Sequence, residues 1–216
     1  MLTDKGVAIA TLMAAAMTVT ACSSTYYRAL ESIGIEKRDV LVSRIDDARD
    51  SQSDAKEQFT SALDNYRALI SVEGGDLEKT YDRLNSAYER SERRATEVAD
   101  RIRAVEKVAE DLFDEWEDEI DEYSDPALSR QSAQLLEETR NDYGDVITAM
   151  RRAEDSMGPV LTLFHDQVLF LRHNLNARAI GSLQSELATI EQATTSLIQE
   201  MERAIVEAGR FIDAAG

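Results

Sequence analysis

Residues 77–116 read LEKTYDRLNSAYERSERRATEVADRIRAVEKVAEDLFDEW. Within them Leu77, Tyr81, Leu84, Tyr88, Ser91, Ala95, Val98, Ile102, Val105, Ala109, Leu112 and Trp116 recur at alternating steps of four and three. All of these except Ser91 are apolar, and the residues between them are mostly charged. A strand would alternate at every second residue. This spacing instead draws one stripe down a helix. A stripe repeating every 3.5 residues on average marks a helix that packs along its length against other helices, with a left-handed supercoil.

The pattern continues on both sides of this stretch. Upstream, Leu41, Ile45, Ala48, Gln52, Ala55, Phe59, Ala62, Tyr66 and Leu69 keep the same steps. Downstream, so do Ile180, Leu183, Leu187, Ile190, Thr194, Leu197, Met201, Ala204, Ala208 and Phe211. Only Gln52, Ser91 and Thr194 break the apolar character of these three seams. The recurring alanines allow close helix approach. Gly74-Gly75 interrupts the pattern, with Asp76 a plausible helix cap. Ser124-Asp125-Pro126 does so again, with Asp125 as cap and Pro126 at the first helical position.

Between Pro126 and His173 the pattern is less regular. Leu128, Leu135, Val146, Met150, Ala153 and Met157 extend a seam, with a stutter over Thr139 to Val146. Gly158-Pro159 is expected to kink or break this helix. Two turn positions compete: Gly158-Pro159, and His173-Asn174-Leu175-Asn176. The second gives helices of about 37, 48, 47 and 38 residues, which pair off in an up-down-up-down arrangement. The expected fold is therefore all-α: an elongated antiparallel four-helix bundle, or coiled coil, of long helices over residues 35–216. The two longer middle helices should project, near Trp116 to Arg130, at the end where the first helix begins.

The composition agrees. The 216-residue chain is 31% charged and 6% aromatic, with two prolines and a net charge of −18. Such an acidic surface repels nucleic acid and anionic headgroups. It favours solubility, bound cations or a basic partner.

Cys22 is the only cysteine. It follows an uncharged run, Gly6 to Ala21, and closes the sequence Val19-Thr20-Ala21-Cys22. That reads as a lipoprotein signal peptide over residues 1–21, cut before a cysteine that then carries acyl chains. Residues 22–34 form the lipidated cysteine and a tether containing Tyr26 and Tyr27. Two or more acyl chains, palmitate among them, hold a protein stably to a membrane. Ser23 occupies the next position, where the sorting systems this segment resembles take serine as a signal for the outer membrane. The expected location is the periplasmic face of the cell outer membrane, through the lipid on Cys22.

Two segments stand out as candidate contact surfaces. Glu110 to Asp125 is rich in acid, and Asp114, Glu115, Glu117, Asp118, Glu119, Asp121 and Glu122 make a candidate acidic patch. It lacks the D-x-D-x-D-G spacing of a calcium loop. Pro159 to Leu183 carries one acid, Asp166, and is strongly apolar. Four apolar residues in a row, Val168 to Leu171, cannot all face one narrow seam. Val160, Phe164, Val168, Leu169, Phe170, Leu171, Arg172, Asn174 and Arg178 are therefore candidate contacts for a partner or ligand.

The sequence carries no phosphate-binding G-x-x-x-x-G-K-[ST], no H-E-x-x-H and no C-x-x-C. The histidines, His165 and His173, lack the E-x-x-H spacing of a di-iron bundle. Ser53-Asp54-Ala55-Lys56 matches S-x-x-K by letters only, without its accompanying motifs. No catalytic residue, metal site or cofactor is expected.

Several stretches resemble a family of uncharacterised proteobacterial coiled-coil lipoproteins, defined as a domain of unknown function. They are residues 34–42 (GIEKRDVLV), 46–52 (DDARDSQ), 112–117 (LFDEWE), 166–171 (DQVLFL) and 174–180 (NLNARAI). The resemblance spans nearly the whole chain and implies no established activity. Some members bear a DNA-repair ATPase label, which the missing phosphate loop, the export signal and the acidic surface all oppose here. The expected role is a non-enzymatic, lipid-anchored helical spacer or adaptor that contacts another envelope protein, with a homo-oligomer among its expected assemblies. The alternative is a helical binding module that holds an acyl chain or peptide at Val160 to Leu171.

Overall fold

The computed structural model describes residues 37–71 and 77–215. The expected signal peptide and tether, Cys22, and the expected turn and cap at Gly74-Gly75-Asp76 lie outside the described residues. Four helices follow one another: α1 Lys37–Ile70, α2 Leu77–Glu122, α3 Pro126–His173 and α4 Ala177–Ala215. α1 packs on α2 and α4, and α3 packs on the same two neighbours.

Ion pairs along the interfaces fix the helix directions. Lys37 meets Glu115 at 2.7 Å, Arg101 meets Asp47 at 3.5 Å and Arg94 meets Asp54 at 3.2 Å. Numbers rise on α1 as they fall on α2, so the pair is antiparallel. The Arg38 guanidinium donates to the Ala215 carbonyl at 2.8 Å, and Arg67 pairs with Glu191 at 2.7 Å. That runs α4 antiparallel to α1 and closes the ring. The result is the up-down-up-down bundle, with middle helices of 46 and 48 residues, each about 70 Å long.

The seams behave as their spacing requires. All of the α1 seam residues from Leu41 to Leu69 are buried. Those of α2 and α4 are buried or packed against the core, including Trp116 and Leu187. The polar exceptions are inside too: Gln52, Ser91 and Thr194 are fully buried. Ser91 Oγ donates to the Ala87 carbonyl at 3.0 Å. Gln52 Nε2 reaches the Met150 carbonyl at 3.4 Å across the bundle, but no protein donor reaches its Oε1.

α3 runs unbroken through Gly158 and Pro159, so the turn lies at Asn174. The proline is tolerated because both residues are exposed. The helical bond that Pro159 cannot donate is lost on the solvent side, where water replaces it. Asn174 caps α3 through its N–H to the Leu171 carbonyl at 3.1 Å. Asn176 Oδ1 accepts from the N–H groups of Arg178 and Ala179, each at 3.1 Å, and so starts α4. Asp125 likewise caps α3 by accepting from the Ala127 N–H at 2.8 Å, with Pro126 opening the helix.

The start of α3 departs from the expected register. Leu128 and Leu135 are exposed, and Leu136 is buried instead. Counting back from Met150 in steps of three and four gives Ile147, Tyr143, Arg140 and Leu136. These positions face α2. Arg140 lies 5.3 Å over the Phe113 ring and its head pairs with Glu117 at 2.5 Å. A cation covers an apolar ring within the stretch, Thr139 to Val146, where the seam pattern stutters.

A Cβ at Gly144, inside α3, would meet no other helix or side chain within 4 Å. Gly144→Ala is expected to raise unfolding stability by about 0.5–1 kcal/mol, because glycine costs that much in a helix interior. Thermal unfolding checks this, and a fall in stability would mean that α3 needs its glycine there.

Candidate functional site

The bundle offers two unlike ends. At one end, α1 begins and α4 stops, while α2 and α3 continue past them. Lys37 is level with Glu115, and Arg38 with Ala215. Beyond that level, among the described residues, only α2 and α3 continue, as a hairpin. Trp116 Nε1 donates to Ser132 Oγ at 2.8 Å, and Ser129 Oγ donates to the Ile120 carbonyl at 3.5 Å. These polar links fasten the tip where no deep core exists. They explain why small serines, rather than leucines, face α2 here.

The acidic patch sits on this tip. Asp114, Glu117, Asp118, Glu119, Asp121 and Glu122 are exposed, whereas Glu115 is half-buried beside Lys37. The Arg140 guanidinium donates a hydrogen bond to Glu117, which with its charge holds that carboxyl below the usual range. Next to Arg140, Tyr143 packs edge-on against Phe113 with ring centroids 5.4 Å apart. Burial, then the Glu106 charge, pushes the Tyr143 phenol up to about 12. Tyr123, Leu128 and Leu135 are exposed on the same hairpin. The tip thus combines acid with exposed apolar side chains, a mixture suited to basic, amphipathic contacts.

The opposite end holds the second candidate surface, and the structure divides it. Val160, Phe164, Val168 and Leu171 are buried in the core. They cannot reach a partner while the bundle is closed, because they lie on the stripe that faces α2 and α4. Leu169 and Phe170 point outward, next to exposed Arg172, Asn174 and Arg178. Asn174 has a second task, since its Nδ2 also donates to the Phe170 carbonyl at 3.0 Å. His165 lies at the surface, its ring 5.7 Å from that of Tyr88.

Clefts between helices are shallow and charged. One of about 290 Å³ lies between α3 and α4, lined by Asp142, Asp145, Val146, Glu207, Arg210, Phe211 and Ala214. Another, of about 380 Å³, opens between α1 and α4 along Lys56, Thr60 and Glu202. Among the described residues no three His, Asp or Glu side chains are gathered so as to hold a metal ion. No described helix is long and apolar enough to cross a membrane.

A family described as "Protein of unknown function (DUF2959)" matches residues 26–215. The chain belongs to the DUF2959 family. The matched region ends with α4, but it begins at Tyr26, well ahead of α1. No curated protein and no solved structure matches the chain. The DUF2959 bundle therefore has to be read from its own surfaces. The two features that chemistry singles out are the acidic, partly apolar tip and the Leu169-Phe170 step near the other end.

Proposed function

We propose that the protein is a non-enzymatic spacer or adaptor, anchored by lipid on Cys22 to the periplasmic face of the outer membrane. The observation that carries this reading is the single cysteine closing an uncharged run, Gly6 to Ala21. The bundle supports it by shape. The stretch from Cys22 to Lys37 spans at most about 50 Å when extended, and a middle helix adds about 70 Å. A tethered rod of this kind places the Leu169-Phe170 step far from the anchoring surface. Those apolar residues, flanked by Arg172 and Arg178, suit contact with another envelope protein.

Cys22→Ser is expected to shift at least nine-tenths of the protein, roughly, from the membrane fraction to the soluble one, since the acyl chains supply the attachment. A Cys22→Ser chain that stays in the membrane pellet ends the anchored reading. In-cell crosslinking from position 169 is expected to capture one envelope protein. Phe170→Glu should reduce that capture while leaving the helix content unchanged. Capture that is indifferent to Phe170→Glu removes this end as the contact surface.

A further inference from the structure

All four helices meet at a cleft near the tip, where Leu41 of α1, Leu112 of α2, Thr139 and Asp142 of α3, and Phe211 and Ala214 of α4 come together. Leu112 and Thr139 therefore mark the side of α2 and α3 that faces the other two helices. On α2, Trp116 and Tyr123 follow Leu112 by four and eleven residues and keep its line. On α3, Leu135 precedes Thr139 by four residues and Leu128 precedes Leu135 by seven, again on one line. Two apolar lines thus run off the end of the core on one side of the hairpin. Trp116 is only partly buried. Tyr123, Leu135 and Leu128 are 45%, 47% and 51% exposed in the whole chain. The contacts that hold the hairpin together use other positions, Ser129, Ser132 and buried Leu136. From Thr139 to Leu128 this shelf is about 16 Å long, three turns of a helix.

The charge beside the shelf says what suits it. Asp114 to Arg140 holds ten acids and two bases, Arg130 and Arg140. Arg140 is already paired with Glu117. Glu119 and Glu122 flank the α2 line, and Glu138 and Asp142 flank the α3 line; all four are exposed. Among the described residues none of these four has a cationic partner. A second copy of the tip would bring acid against acid, and anionic headgroups would be repelled in the same way. A helix with an apolar stripe and Lys or Arg on its flanks meets both features at once, the stripe on the shelf and the cations on the carboxylates.

We propose that the α2–α3 tip is a docking surface for a basic amphipathic helix of another protein, seated on Tyr123, Leu128 and Leu135 between these carboxylates. This surface lies at the opposite end from the Leu169-Phe170 step. An adaptor with both would hold two partners a bundle's length apart. The docking rests on neither the lipid nor the other end.

The test uses the full-length Cys22→Ser chain and a fluorescent synthetic helix of about eighteen residues, long enough to be helical, with a leucine stripe and lysine flanks. A control peptide has the same composition, scrambled so that the leucines form no stripe. Near physiological salt the striped peptide is expected to bind about tenfold more tightly than the scrambled one, since only it covers the shelf. Leu128→Ser with Leu135→Ser, which leaves the charge unchanged, should weaken binding about tenfold. Glu119→Gln with Glu122→Gln should weaken it about threefold and flatten its salt dependence. Leu169→Ser should leave it unchanged. Circular dichroism should show the same helix content in every variant, because all the substituted side chains are exposed. Equal binding of the scrambled peptide, or binding indifferent to Leu128→Ser with Leu135→Ser, overturns the proposal and leaves only a general attraction of an acidic chain for cations. A dimer in sedimentation that those two substitutions dissociate also overturns it, by assigning the shelf to a second copy. Crosslinking from position 169 and membrane fractionation of Cys22→Ser are separate readouts, so failure here is distinct from failure of the anchored adaptor.

Discussion

Phe164→Ala is expected to lower the unfolding free energy by about 3–5 kcal/mol. Phe170→Ala, on the same helix, should change it by less than about 0.5 kcal/mol. Phe164 is fully buried, and its ring meets Tyr66 edge-on across the bundle with centroids 6.3 Å apart. Truncation removes that contact and leaves a cavity lined by long helices, which cannot collapse locally without shifting whole seams. Tyr66 would also lose a wall of the pocket that holds its hydroxyl to the Leu183 carbonyl at 3.0 Å. Phe170 faces solvent and supports nothing of this kind. Chemical denaturation of the two variants checks the contrast. Equal losses would mean that the Val168 to Leu171 step is core throughout, leaving no outward surface for a partner.

Gln52→Glu is expected to cost about 3–5 kcal/mol at neutral pH, the cost of leaving an unpaired charge inside a protein. Gln52 is fully buried, its Nε2 has only the long bond to the Met150 carbonyl, and its Oε1 has no protein donor. A carboxylate there would have nothing to neutralise it. Burial would raise its folded-state pKa above the unfolded value of about 4.3. The folded state then holds the proton more tightly. The deficit is absent below that value and grows as pH rises through the window between the two pKa values. The variant should therefore approach parental stability near pH 4 and lose it towards pH 7. Gln52→Leu, by contrast, should gain about 1 kcal/mol, because an apolar side chain of similar size leaves no acceptor unmet. Melting temperatures of both variants at the two pH values test this. A Gln52→Glu chain indifferent to pH would mean that the site is wet.

Most of the fold was legible because the information is periodic. Any residue of the α1, α2 and α4 seams could be placed by counting, even Gln52, Ser91 and Thr194, whose polarity argued against burial. The count failed at the start of α3, where Leu128 and Leu135 looked like seam and Leu136 did not. The signals that override hydropathy there are pairwise. Trp116 needs an acceptor at Ser132, and Phe113 takes the Arg140 guanidinium on its face. A pattern of single residues does not contain them. Pro159 was ambiguous for a related reason, since its effect depends on whether the lost bond faces water.

The candidate surfaces were legible only as segments. That four consecutive apolar residues cannot share one seam follows from the helical repeat. Which of them turn outward depends on the register of α3. The structure settles that register by burying Val168 and Leu171 and leaving Leu169 and Phe170 outside.

The bundle is sealed between its first and last helices. Arg38 holds Ala215, Lys56 faces Glu202 at 3.6 Å, and Tyr66 reaches Leu183. Everything along that seal joins parts of the chain made far apart in time. A chain truncated anywhere before Ala177 leaves the inner stripes of α1 and α3 bare along one side. Such premature termination products should vanish by degradation rather than persist with partial function, and quantity, not quality, is what a late stop codon would change.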